Sequence, residues 1–263
     1  MFKKYIILGL IVLIMTAFFF AVSVRNAASI VRGGYHDLTN NSGIGGFASY
    51  SVKSDVCVFC HTPHHANSNQ TYSGNPITGT GTAGSLGGSY LWNRRVPLAS
   101  SFTPYSSSTF AGGQPGPLSL LCLSCHDGFG AMNVLLNYPN NTPIPAVIGP
   151  LADQFGDATG DPSWAALNIG DASCNGDDCG TTGGNLQNDH PIGFDYDAAQ
   201  QANQNGLNII TNTALLDRMA ITQHRMECNT CHDPHITNDL TTKNNFLVID
   251  NKNSLLCLAC HNK

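Results

Sequence analysis

Charge is scarce in this chain. Only 11% of its 263 residues are Asp, Glu, Lys or Arg, against about 25% in an ordinary soluble domain. Glutamate is almost missing: it occurs once, as Glu227, and every other acid is aspartate. Long surface helices, which draw on Glu, Lys and Arg, are therefore not expected. From Val96 to Asp217 there is no Lys or Arg, although eleven Asp fall in that stretch. With 12 basic against 17 acidic residues and no basic cluster, a nucleic-acid partner is excluded. What the chain has in quantity is Gly (27), Pro (13), ten Cys and ten His.

The first residues set the compartment. Met1-Phe2-Lys3-Lys4 precedes an apolar run from Tyr5 to Val24. A basic start and an apolar run make a secretory signal, here residues 1–28, with small residues at Ala21, Ser23, Ala27 and Ala28 as cleavage points. The run is also about long enough to stay in a bilayer as an anchor. Both readings place the rest of the chain outside the cytoplasm, extracellular, on the cell surface or periplasmic. Without residues 1–28 the formal charge goes from −5 to −8, because Lys3, Lys4 and Arg25 are lost.

Eight of the cysteines repeat one pattern, Cys-x-x-Cys-His. It is found at Cys57, Cys60 and His61, at Cys122, Cys125 and His126, at Cys228, Cys231 and His232, and at Cys257, Cys260 and His261. This is the attachment signature of c-type haem. Cysteines three apart lie on one face of a helical turn and can reach two vinyl groups of one porphyrin. The next residue then lies under the iron as its proximal ligand. A zinc ribbon uses Cys-x-x-Cys pairs too, but requires no His directly after the second Cys. Four such histidines by chance, at the His frequency of this chain, is on the order of 10⁻⁶. Four covalent haems, each with an iron, are expected. Cys174 and Cys179 lack a following His, and in an exported chain a short-loop disulfide is expected for them.

Six histidines remain for the second axial positions. Cys60-His61-Thr62-Pro63-His64 and Cys231-His232-Asp233-Pro234-His235 echo each other, as do Leu121–His126 and Leu256–His261. The chain thus reads as a duplicated two-haem unit, 29–150 with haems 1 and 2, and 151–263 with haems 3 and 4. His64 and His235, three after a proximal His, emerge beside it and cannot cross to the far face of their own haem; each is placed to ligate a neighbouring one. His36 and His190 precede the first and third motifs in matching positions. His36, His64, His190 and His235 therefore complete four bis-histidine haems, leaving His65 and His224 as surface or structural residues. Methionine would raise the potential, but outside the leader only Met132, Met219 and Met226 exist, and none is assigned. Asp157-Ala158-Thr159-Gly160-Asp161 offers oxygens for Ca²⁺, yet the spacing matches no EF-hand loop, and a solvated loop is the plainer reading.

The layout resembles multihaem c-type cytochromes with a doubled Cys-x-x-Cys-His unit. More closely, it is similar to the tetrahaem extracellular cytochrome filaments of metal-reducing microbes, the OmcE type. The resemblance is carried by the His36-Asp37 start, the Cys57–His64 run, the Leu121–Asp127 run, Asp189-His190-Pro191 and Cys228–His235. It implies low-spin bis-histidine haems, identical subunits stacked into a filament with a continuous row of haems, and one distal histidine lent by the adjacent subunit. Carried over here, that donor would be His36. The redox partners it implies are other cytochromes or metal oxides.

The expected fold class is a multihaem cytochrome, mostly coil with short helices around a chain of four haems and little β structure. Helical patterning appears only near Asp197–Met219. Ser73–Tyr90, where twelve of eighteen residues are Gly, Ser or Thr, reads as loop. So polar a chain would bury little apolar area alone, and the apo-chain is expected to be unfolded. Three functions compete: a non-enzymatic electron conduit that polymerises outside the cell, a monomeric periplasmic carrier, and a multihaem enzyme. An enzyme needs an open distal position, and the histidines suffice to close all four, so no catalytic residue is expected.

Overall fold

The computed structural model describes residues 31, 36–37, 56–64, 71–72, 84–85, 91–126, 135–138, 186–187, 189–236 and 246–262. Residues 1–28, His65, Met132, Asp157–Asp161, Cys174 and Cys179 lie outside the described residues, and with them the expectations about the leader, the Ca²⁺ loop and the disulfide. Among the described residues no helix is long and apolar enough to cross a membrane.

The chain divides into two compact units, one of Met1–Val56 and Asp233–Phe246, the other of Cys57–His232 and Leu247–Lys263. In the first, the rings of His36 and Phe246 lie 4.4 Å apart, tilted by 40°. The Phe246 carbonyl accepts the Asp233 N–H at 2.8 Å. Asp233, itself buried, accepts the His235 N–H through Oδ1 at 2.8 Å and lies 3.1 Å from the ring Nδ1 of that histidine. Two candidate distal ligands, His36 and His235, thus belong to this unit.

The second unit is built from short elements. β1 (Thr71–Tyr72) pairs antiparallel with β2 (Gly84–Ser85), Thr71 opposite Ser85. Part of the stretch expected as loop is thus a two-residue strand. Helix α1 (Pro117–His126) is the longest described element in this unit at 10 residues. Pro117 opens it, where the missing N–H costs nothing. Then come β3 (Phe194–Asp195), α2 (Tyr196–Ala202), α3 (Thr213–Ile221), β4 (Arg225–Met226), α4 (Cys228–Cys231) and α5 (Leu255–Cys260). The helical patterning of Asp197–Met219 is two helices. Asp195 caps α2, its Oδ1 accepting the Ala198 N–H at 2.9 Å. Asn212 caps α3, accepting from Ala214 and Leu215 at 3.0 and 3.3 Å. Side chains of this kind satisfy the orphan N–H groups of a helix start, and the turn at Asn203–Gly206 separates the two.

Two apolar clusters hold this unit. Val96, Phe102, Leu120, Leu121, Leu123 and Leu186 surround α1. Tyr196, Ile210, Leu215, Met219 and Met226 pack the other, with Leu256, Ala259 and Cys260 of α5 at its margin. β3 and β4 pair antiparallel, Phe194 opposite Met226. Gly193, at φ +77°, lets the segment before β3 press against residues 113–114. A Cβ there would come within 2.2 Å of the Gln114 carbonyl oxygen and 2.6 Å of that of Gly113. That contact sets the start of α1 against β4 and α4.

Candidate functional site

Each described motif is a helical turn closed by its histidine. The N–H of His61 donates to the Cys57 carbonyl at 2.7 Å, that of His232 to Cys228 at 3.0 Å, and that of His261 to Cys257 at 2.8 Å. His232 and His261 then leave in extended conformation, at φ/ψ −118°/141° and −105°/133°. The two cysteines of each turn therefore share a side, with the imidazole just beyond. The second motif instead forms the last turn of α1, Cys122 to His126.

A second segment brackets three of these turns. His61 lies opposite Trp92, His232 opposite Leu247 and His261 opposite Leu207, each as a single antiparallel bridge. In all three the residue after the partner donates its N–H to the carbonyl of the second cysteine: Asn93 to Cys60 (2.8 Å), Val248 to Cys231 (2.9 Å) and Asn208 to Cys260 (2.8 Å). In all three a return bond follows, from Thr62 to the Leu91 carbonyl (2.8 Å), from Asp233 to that of Phe246 (2.8 Å) and from Asn262 to that of Gly206 (3.0 Å). Leu91 turns its carbonyl there by adopting φ +52°, a left-handed conformation costing about 1–2 kcal/mol in a non-glycine residue.

Two asparagines add side-chain bonds at matching places. Asn93, with no exposed surface, donates through Nδ2 to the carbonyls of Val58 (2.7 Å) and Asn137 (2.9 Å), and its Oδ1 accepts the Asn137 N–H (2.8 Å). Asn208 donates through Nδ2 to the carbonyls of Leu258 (3.0 Å) and His261 (3.2 Å). Val58 and Leu258 each follow the first cysteine of their motif, so both asparagines clasp the same atom of the turn. The Tyr196 hydroxyl lies 2.8 Å from the Asn208 carbonyl and 3.1 Å from that of Cys260. Burial raises its pKa and keeps it a donor.

The motifs are also tied to one another. Trp92 Nε1 donates to Ser124 Oγ (3.2 Å), and the buried Arg94 guanidinium reaches the Ser124 carbonyl (3.3 Å), so residues 92–94 join the first motif to the second. The sulfurs follow the same order. Burial pushes the Cys60 thiol up to about 12, with Cys125 adding to it. Cys122 is raised by its hydrogen bond with Cys228 and by burial. Burial takes Cys231 to about 12, with Cys260 adding. The second cysteines of the first and second motifs, the first cysteines of the second and third, and the second cysteines of the third and fourth thus influence one another's ionisation. None of the eight is in a disulfide, and burial, where it raises them, favours the neutral thiol.

His190 comes to the fourth motif. Its ring centre is 6.3 Å from that of His261, with the planes at 72°, and its Nδ1 lies 2.9 Å from the Pro191 carbonyl. His64 is exposed after Pro63, its carbonyl accepting the Thr62 hydroxyl (2.8 Å). His224 pairs instead with Asp197 at 2.8 Å, both exposed. Among the described residues no three His, Cys, Asp or Glu side chains converge as around a protein-held metal ion.

Trp92, Asn93, Arg94, Tyr196 and Asn208 went unmarked by the motif. The one faint signal was an apolar residue followed by Asn, at Trp92-Asn93 and Leu207-Asn208. No protein-family model matches the chain, and no curated protein matches its sequence.

Proposed function

We propose that this chain is a non-enzymatic electron carrier with four covalently attached haems, and a subunit of a polymeric extracellular filament. The observation that carries the first part is the pair His190 and His261. An imidazole nitrogen binds a metal at about 2.0 Å and lies about 1 Å from its ring centre, so two imidazoles joined through one ion have centres about 6 Å apart. The pair stands at 6.3 Å. The Pro191 carbonyl on His190 Nδ1 fixes the tautomer that leaves Nε2 as the ligating nitrogen, as metal-bound imidazoles generally require. His235 has the same provision in Asp233.

The donor set suits haem better than zinc. A porphyrin supplies four nitrogens of its own, so the protein need bring only two imidazoles to each iron. A tetrahedral zinc ion needs four side chains at once, and no such convergence occurs among the described residues. Cys57, Cys60, Cys122, Cys125, Cys228, Cys231, Cys257 and Cys260 would hold the four groups. His61, His126, His232 and His261 would be the proximal ligands, and His36, His64, His190 and His235 the distal ones. When bound, haem supplies an iron that passes between ferric and ferrous. The chain's part would be to clasp the first turn through Asn93 and the fourth through Asn208, to orient two imidazoles toward each iron, and so to leave no place on it for a substrate. That closure favours electron transfer over catalysis. The ordering of the motifs from first to fourth supports transfer along a row. The filament part of the reading rests on the resemblance.

The test is a pyridine-haemochromogen assay with electron paramagnetic resonance on the exported protein. Four haems per chain, all low-spin, are expected in the wild type, and His190→Ala is expected to turn one of the four high-spin while leaving all four attached. Zinc in place of tetrapyrrole defeats the reading; an unchanged spectrum in the variant defeats the ligand pair. Negative-stain microscopy of a cell-surface preparation separates a filament from a monomeric carrier.

A further inference from the structure

The only glutamate in the chain does work that the motifs do not announce. Glu227 is buried, 3% exposed, immediately before Cys228. Its Oε2 accepts the Gly116 N–H at 2.9 Å and a very short hydrogen bond from the Ser119 hydroxyl. Gly116 and Ser119 form the start of α1, the helix of the second motif, so a carboxylate from the third motif caps the second across more than a hundred residues of sequence. A helix start favours negative charge. Ser119 Oγ in turn accepts the Cys228 N–H at 3.0 Å. The Glu227 N–H donates to Thr230 Oγ1 at 3.0 Å, closing the first turn of α4. Arg225 Nε lies 3.4 Å from Oε1. Gly116 is shaped to this contact, since a Cβ there would fall 2.1 Å from Oε1. Beside this joint the sulfurs of Cys122 and Cys228 share a hydrogen bond.

Resting on the function proposed above, we propose that Glu227 is a positioning residue that sets the separation of the second and third haems. It joins the starts of the two helices that carry Cys122 and Cys228, and so holds two attachment sulfurs side by side where two cofactors must pass an electron. A buried carboxylate suits this role better than a shape-matched apolar residue. It takes two donors from one helix while sitting on the other, and its removal leaves the Gly116 N–H and the Ser119 hydroxyl without their acceptor in a buried site. The joint is rigid because Glu227 is held from Gly116, Ser119 and Arg225 together.

The test uses the haem-loaded exported protein and reads the Soret circular-dichroism couplet, which reports coupling between neighbouring haems, beside a haemochromogen count. Glu227→Ala is expected to lose the share of the couplet due to the second and third haems while the count stays at four. Glu227→Gln, which keeps an acceptor oxygen, is expected to restore it. If Glu227→Ala does not accumulate, Glu227→Asp, with its carboxylate drawn back by one methylene, is expected to lower the couplet in its place. An unchanged couplet in the first accumulating variant overturns the inference and leaves the electron-carrier reading standing. A wild type without haem removes that reading itself, and this one with it.

Discussion

Two stretches of the second unit share one sequence pattern and meet opposite fates. Leu121-Cys122-Leu123-Ser124-Cys125-His126 and Leu256-Cys257-Leu258-Ala259-Cys260-His261 differ only in Ser against Ala. Yet Leu123 is 1% exposed and Leu258 is 43% exposed. α1 has six buried residues, while α5 has none. The motif is therefore not what buries a helix; the flanks are. α1 is preceded by Pro115-Gly116, opened by Pro117, capped by Glu227 and surrounded by Val96, Phe102 and Leu186. α5 is entered through Asn253 and Ser254 at φ +56° and +61°, without a side-chain cap, and touches its apolar cluster only from the margin. One helix is buried by the protein's own side chains. The other presents Leu255 and Leu258 as apolar surface beside its cysteines.

The sharpest way to break the comparison is to truncate the same leucine in both helices. Leu123→Ala removes a packed core side chain and is expected to cost about 2–5 kcal/mol. Leu258→Ala is expected to cost under about 1 kcal/mol, since Leu258 is already 43% exposed and its truncation removes little apolar area from burial. Chemical denaturation of the exported protein reads both. Equal costs would mean that α5 is packed as tightly as α1, against a cofactor or another copy of the chain.

That asymmetry also marks how far the sequence could be read. The eight motif cysteines and their histidines could be marked from the sequence because the pattern is local, five residues in a row repeated four times. The approach of His190 to His261 could not be read there, since the two lie 71 positions apart in sequence and nothing local encodes the distance. The helical patterning of 197–219 was visible, but its break needed Asn212 to be seen as a cap. Glu227 stood out only as a compositional oddity. Its role depends on Gly116 and Ser119, and no spacing rule connects residues so far apart. The same holds for the Trp92-Asn93-Arg94 and Leu207-Asn208 brackets, which exist only once the chain has folded back on the motif.

The asparagine clasps give a finer contrast. Asn93 is fully enclosed and has its amide oxygen and nitrogen both engaged with backbone, whereas Asn208 is half-buried. Removing a buried hydrogen-bonding side chain and stranding its partners costs about 1–3 kcal/mol. Asn93→Ala is expected at the top of that range and Asn208→Ala at the bottom, by the same denaturation measurement. Because Asn208 also reaches the His261 carbonyl, its loss is further expected, on the proposed electron-carrier function, to alter the low-spin resonance signal of a haem at the fourth motif while one at the first keeps its own. Asn93→Ala should do the reverse.

Acidity offers the most delicate probe of the difference between the helices. Burial raises the Glu227 pKa above its usual 4.5, and the Ser119 hydroxyl, Arg225 and the Gly116 N–H only partly counter it. A carboxyl whose folded pKa is raised binds its proton more tightly in the folded state. Its contribution to stability is complete below the unfolded value near 4.5 and is lost as pH rises through the folded value. The loss falls on α1, whose start Glu227 caps, and not on α5, which has no buried carboxylate at its start. Hydrogen exchange at successive pH values above 4.5, corrected for intrinsic rates, should show α1 amides losing protection relative to those of α5. Glu227→Gln, which does not titrate, should abolish that divergence. Parallel protection in the wild type would mean that the Ser119, Arg225 and Gly116 contacts outweigh burial and keep the carboxylate charged throughout.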